Sequence, residues 1–202
     1  MNEQLTTTEH KIVEATIVCI EQYGIEGATN RRIAEHAGVN IAAINYYFRS
    51  KDALIRHCLE ITLQNAFDLS DLPPMPEASA QERCIVIMTG LLEGAQRFPG
   101  ISRAHFYNLV TQGPHYALLA ERLNRFIGDL GDDLSERDGA LPEEELTLAL
   151  IQIISAVILA NIAPTMFAAQ PGADLTDPQA RRLYATRLVN NLLAPSTVTS
   201  SA

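Results

Sequence analysis

The residues best suited to do chemistry lie between Thr29 and Lys51, in the run TNRRIAEHAGVNIAAINYYFRSK. Asn40, Asn45, Tyr46 and Tyr47 offer amide and phenol groups, which form hydrogen bonds. Arg31 and Lys51 add positive charge to the segment. This is an inventory for recognition, not for bond making. Its spacing is equally informative: Ile33, Ala34, Ala37, Val39 and Ile44 can pack two short helices across a tight turn at Gly38, the mechanical logic of a helix-turn-helix. The small residues Ala34, Ala37, Ala42 and Ala43 allow close approach, which leaves the polar side chains on display along a second helix that fits a DNA major groove.

Other chemistries find little support. His36 and His57 read as solvated or hydrogen-bonded helix residues rather than metal ligands, and the chain has no Glu-x-x-His pair and no Gly-rich phosphate loop. Cys19, Cys58 and Cys84 are odd in number, form no Cys-x-x-Cys pair and lie in apolar helical patterns, so they read as reduced thiols. The reading is a non-enzyme with no metal and no cofactor; an all-helical enzyme using Glu or His residues is the alternative.

The elements that position the recognition residues follow from periodicity and stop signals. Thr6 and Glu9 have capping-box spacing for a helix from Thr8 to Tyr23, with Gly24 as its stop. Thr29 caps a helix through Ala37, Asn40 caps Ile41 to Phe48, and Ser50 caps a fourth helix over 51–70. The three prolines between Leu72 and Glu77 mark a boundary. Ser79 and Glu82 then start a helix to about Phe98, which Pro99 and Gly100 stop. Further helices run from Ile101 to Thr111 and, after Gly113 and Pro114, from Tyr116 to Leu134. Pro142 with Glu143, Glu144 and Glu145 opens a long apolar helix, and Asp177 with Pro178 opens a last one ending near Pro195. No period-2 pattern of useful length occurs, so the fold class is all-α with about nine helices.

Composition bounds the rest. The chain has 202 residues, 47% hydrophobic and 19% charged, with 11 Gly and 10 Pro, which excludes collagen-like and disordered classes. Its net charge of −9 gives no overall basic field, yet residues 29–56 hold five basic residues against two acidic ones, a local +3. DNA is therefore expected at that patch alone. The N-terminal MNEQLTTTEHK lacks the pattern of a secretory signal, so a cytoplasmic location is expected. The stretch Leu146 to Ala169 lies in a charge-free run long enough to cross a bilayer. Gln152, Ser155, Asn161 and Pro164 interrupt it and no Lys or Arg flanks it closely, which favours a helix buried in a core and a subunit interface over a membrane-associated protein.

The groups Ile33-Ala34, Ala37-Gly38-Val39, Tyr46-Tyr47-Phe48 and Ser50-Lys51, in this order, resemble the TetR/AcrR family of bacterial transcription regulators over about residues 8–67. The resemblance implies a core DNA-binding domain at 1–50 with its helix-turn-helix at 29–50, a ligand-binding and dimerisation domain at 51–195 entered through the fourth helix, and a flexible tail at 196–202. It implies a homodimer through the last two helices, a palindromic double-stranded operator, repression, and release by a small effector. Carried over by position, Thr29, Asn30 and Arg31 meet phosphates or a base edge, with Asn40 at the start of the reading helix. Ile41, Ala42 and Ala43 face the groove, and Tyr46, Tyr47 and Lys51 clamp the backbone. Asn45 stands where many relatives have Tyr, and its amide suits either an adenine edge or a phosphate. Helices four to seven would enclose the effector, with Phe67, Met88, Leu92, Phe106, Tyr107 and Tyr116 as candidate contacts; such a lining suits an apolar or aromatic molecule.

Overall fold

The computed structural model describes residues 7–72, 74–111 and 116–194, with the side chains of 71, 108–111 and 116 outside that description. Thr6 of the expected capping box, the Gly113–Pro114 break and the tail at 196–202 fall outside the described residues. Those described form nine α-helices and no strand: α1 Thr7–Gly27, α2 Asn30–Ala37, α3 Ile41–Phe48, α4 Lys51–Ala66, α5 Ala80–Arg97, α6 Pro99–Thr111, α7 Tyr116–Ser135, α8 Glu143–Ile162 and α9 Pro178–Leu192. They pack as two units.

The first unit comprises residues up to Ala66 together with Phe98–Arg122. Its core gathers Ile12, Val13, Cys19 and Ile20 of α1, Ile33 and Ala34 of α2, Ile44 of α3, and Leu54, Ile55, Cys58 and Leu59 of α4, closed by Ile101 and Ala104 of α6. α1 is kinked at Gly24, whose φ of 71° and ψ of 175° no L-residue adopts readily, so the expected stop appears as a bend. Gly100 behaves differently from the expected stop. α6 begins at Pro99, the first-turn position that tolerates proline, and a Cβ on Gly100 would lie 2.2 Å from the Glu21 carbonyl oxygen. Only glycine permits that approach of α6 to α1. The Glu21 carboxylate seals the contact by accepting from the backbone N–H groups of Gly100 (3.0 Å) and Ile101 (2.8 Å), two donors that the start of α6 leaves unpaired.

The second unit comprises Phe67–Arg97 and the chain from Leu123 onward. Its core joins Met88 and Leu92 of α5, Phe126 and Leu130 of α7, Leu150 and Ile153 of α8, and Ala185 and Val189 of α9. An ion cluster is set into it: Arg83, 5% exposed, donates from Nε to Asp133 Oδ2 at 3.0 Å, and Arg137 Nη2 reaches Asp133 Oδ1 at 2.9 Å. Burial alone would raise the Asp133 pKa, but the hydrogen bonds from Arg137 and Arg83 and their charges outweigh it and hold the carboxyl below its usual range. Burial pushes the Cys84 thiol up to about 12, and that of Cys58 in the first unit likewise, so neither is a nucleophile at neutral pH.

α8 ends at Ile162, short of the charge-free run's end, because Pro164 cannot continue a helix and sets Ala163 at φ −135°. The helix is long and apolar enough to cross a membrane by length and composition, with 39% of its apolar window buried within the chain. Seven of its residues, among them Leu150, Ile153 and Val157, serve the core of the second unit. Leu148, Ile151 and Leu159 remain exposed.

Candidate nucleic-acid interface

α2 and α3 have eight residues each, too few to hold a helix by propensity, and both are closed by caps. Thr29 Oγ1 accepts from Arg32 N at 3.3 Å and Asn40 Oδ1 from Ala42 N at 2.9 Å. Gly38 turns the chain at φ 66°, a left-handed conformation open to glycine, and Val39 N donates back to Ala34 O at 3.1 Å. Capping uses one acceptor of each side chain. The Thr29 hydroxyl proton and the Asn40 amide protons stay available to an incoming acceptor.

α3 is anchored by Ile44, its one fully buried residue, with Ala43, Tyr47 and Phe48 half-buried against the same core. Ile41, Ala42, Asn45 and Tyr46 face solvent, Tyr46 at 80% exposure with its ring edge-on to Tyr47 at 5.0 Å. Ala43 and Tyr47 are half-buried, so the fully exposed residues of this face are Ile41, Ala42, Asn45 and Tyr46. A groove of about 440 Å³ separates α2 from the start of α3, lined by Arg31, Ala34, Glu35, Val39, Asn40 and Ile41.

The cations divide by their partners. Arg31 Nε meets Glu35 Oε1 at 3.0 Å with both side chains exposed, and Arg56 meets Glu60 in the same way. Arg32 is a brace: Nη1 donates to Gly27 O at 2.8 Å and the guanidinium lies 4.7 Å from the centre of the Tyr23 ring, which fixes the entry to α2. Arg49 and Lys51 have no hydrogen-bond or ion-pair partner among the described residues. Asn30 places Oδ1 out of solvent without a hydrogen-bond partner among the described residues. Glu35 was not singled out from sequence, although its i,i+4 spacing from Arg31 signals the pair.

The candidate effector residues are divided between the units. Met88 and Leu92 are buried in the second unit, where Phe67 packs its ring 4.9 Å from that of Phe126. Phe106 is buried in the first unit, whereas Tyr107 is 65% exposed beside a groove of about 570 Å³ that Glu21, Ile55, Gly100 and Arg103 also line. The Tyr116 side chain lies outside the described residues. Among the described residues no group of three His, Cys, Asp or Glu side chains is arranged to hold a metal.

Residues 12–58 match the family described as bacterial regulatory proteins, tetR family. The chain is 31% identical over 88 residues to the HTH-type transcriptional regulator BetI of Escherichia coli, covering 43% of this chain and 45% of that protein. It is 41% identical over 51 residues to the probable HTH-type transcriptional regulator YttP of Bacillus subtilis, a quarter of each. The chain thus aligns with less than half the length of these curated relatives. Its fold is similar over nearly the whole length to the fatty acid degradation regulator FadR of Bacillus halodurans, with a TM-score of 0.70, 16% identity and coverage of 96% and 99%. A TetR-family regulator from Mesorhizobium loti gives a TM-score of 0.69, 16% identity and coverage of 94% and 98%. The match to the tetR family of bacterial regulatory proteins covers the N-terminal region alone, where the capped helices, the Gly38 turn and the displayed face of α3 lie.

Proposed function

We propose that the protein is a homodimeric transcriptional repressor of the cytoplasm, which holds a palindromic duplex through α3 of each copy and releases it when a small apolar or aromatic effector binds. The observation that carries the DNA part is the outward face of α3: Ile41, Ala42, Asn45 and Tyr46 stay in water while Ile44, flanked by the half-buried Ala43, Tyr47 and Phe48, anchors the helix. In a major groove, Ile41 and Ala42 offer apolar contact to a thymine methyl and Asn45 an amide for an adenine edge, while Thr29, Asn30, Arg31, Asn40, Tyr46, Tyr47 and Lys51 face the phosphates. Catalysis has no part in this reading. The dimer is supported by the exposed apolar residues Leu148, Ile151 and Leu159 of α8 and Leu183 of α9. A bilayer is the competing occupant for α8, because that helix meets the length and composition of a membrane span. Sedimentation without detergent separates the two: a soluble dimer is expected, and a requirement for detergent favours the bilayer.

Effector action follows from linkage, in which a ligand preferring the state that fits DNA poorly weakens DNA binding by the factor by which DNA weakens its own, typically about 5 to 150-fold. Selection of duplexes from a random pool tests the central reading. Enriched sites are expected to be two-fold symmetric with half-sites about one helical turn apart or somewhat more. A pool that yields no common sequence contradicts it.

A further inference from the structure

Arg49 is the one non-glycine residue among those described with a positive φ, 61° with ψ −38°. It ends α3 by donating from its N–H to Asn45 O at 3.0 Å, and the next N–H, of Ser50, turns back to Phe48 O at 2.7 Å, a three-residue γ-turn. Ser50 at once starts α4: its hydroxyl accepts from Ala53 N at 3.1 Å and its carbonyl from Leu54 N at 3.1 Å. The strained residue is therefore pinned between two helices with no slack on either side, the circumstance in which strain persists. Glycine would adopt this backbone without penalty. Instead the position carries a long cation, exposed to solvent and without a partner among the described residues, two residues from Lys51, which shares both properties of charge and missing partner. The other three cations of the patch are engaged by Glu35, by Gly27 and Tyr23, and by Glu60. Asp52 is the acidic neighbour, and it sits in the first turn of α4, where a carboxylate suits the helix dipole.

We propose that Arg49 and Lys51 form a phosphate clamp at the α3–α4 corner, and that the γ-turn strain is retained to present the Arg49 guanidinium to the DNA backbone. This rests on the DNA-binding reading above. A phosphate contact is independent of sequence, so the probe is a random-sequence 30-base-pair duplex, with binding followed by fluorescence anisotropy over a range of salt and thermal midpoints measured on the same proteins. Arg49→Gln, which keeps the backbone and loses the charge, is expected to weaken binding and flatten the slope of log affinity against log salt by about 0.9 per half-site, whereas Arg49→Lys keeps the slope. Arg49→Gly is expected to lose binding as Arg49→Gln does while its midpoint rises by about 2 to 4 °C as the strain is relieved.

Lys51→Ala separates the two levels of the argument. If Lys51→Ala weakens binding and flattens the slope while Arg49→Gln matches the wild type, the protein binds DNA but the clamp is overturned. A wild-type protein with no salt-dependent binding overturns both. Arg49→Gln with a wild-type slope and a lowered midpoint assigns the cation to the dipole of α3 and likewise overturns the clamp, and Arg49→Gly with no rise in midpoint overturns the role of the strain.

Discussion

α3 and α8 solve opposite problems. α3 has eight residues and one fully buried side chain, and it stays helical because Asn40 caps it and Ile44 pins it. α8 has twenty residues and seven buried ones, and it holds by packing. On the proposed reading, α3 is shown to a polar duplex and gives up burial, so short-range caps must supply its order, whereas α8 is shown to a second copy and can stay apolar without such help. The outer residues of the two helices carry this contrast: Asn45 and Tyr46 on α3, Leu148, Ile151 and Leu159 on α8.

The sharpest way to break the comparison is to put a charge on α8. Leu148 is 62% exposed, so Leu148→Asp leaves the single chain undisturbed. If a second copy covers that face, the carboxylate is buried unpaired at a cost of about 3 to 5 kcal/mol, more than 100-fold in the dimer dissociation constant. Analytical ultracentrifugation is expected to show folded monomers at micromolar concentration, and an unchanged dimer removes Leu148 from the interface.

A smaller effect is expected inside the second unit. Asp133→Asn removes the carboxylate that Arg83 and Arg137 share; because Asp133 is partly solvated, the loss of stability is expected at about 2 to 3 kcal/mol, below that for a fully buried pair. Its pKa is lower folded than unfolded, so the stability that Asp133 adds is complete above the ordinary carboxylate range and is lost as pH falls through the depressed value. Urea titrations from pH 7 downward are expected to show the wild-type advantage over Asp133→Asn shrinking in that acid window; a constant difference would show that the carboxyl is not held low. The smallest effect belongs to the first unit, where Asn40→Ala is expected to cost about 1 kcal/mol as a lost cap. Its DNA affinity is expected to fall beyond that of a surface alanine elsewhere, because the start of α3 frays.

Legibility follows the same division. The starts of α2, α3 and α4 and the Gly38 turn are local, written in Thr29, Gly38, Asn40 and Ser50, and the sequence alone shows them, whereas the stop expected at Gly24 is a bend within α1. What it hides is pairing at a distance. Gly100 looks like a helix stop, and only the proximity of Glu21 explains why it lies within α6. Five cations look equivalent in a charge count, yet Arg32 is spent on Gly27 and Tyr23. Ala43 and Tyr47 alternate with Ala42 and Tyr46 in the sequence, and the turn of α3 decides which pair meets solvent. The division of the chain into packing units is non-contiguous, with α6 joining α1 and α4, which no linear boundary expresses.

The most direct test of the reading face sets Asn45→Ala beside Lys51→Ala on a duplex taken from selection and on a shuffled duplex of the same length, over a range of salt. Lys51→Ala is expected to weaken both duplexes alike and to flatten the salt slope by about one per half-site. Asn45→Ala is expected to weaken the selected duplex alone, by about 1 to 3 kcal/mol per half-site, with the slope unchanged. If Asn45→Ala instead weakens both duplexes equally and flattens the slope, α3 holds the backbone at that position, and the claim that its exposed face reads bases is contradicted.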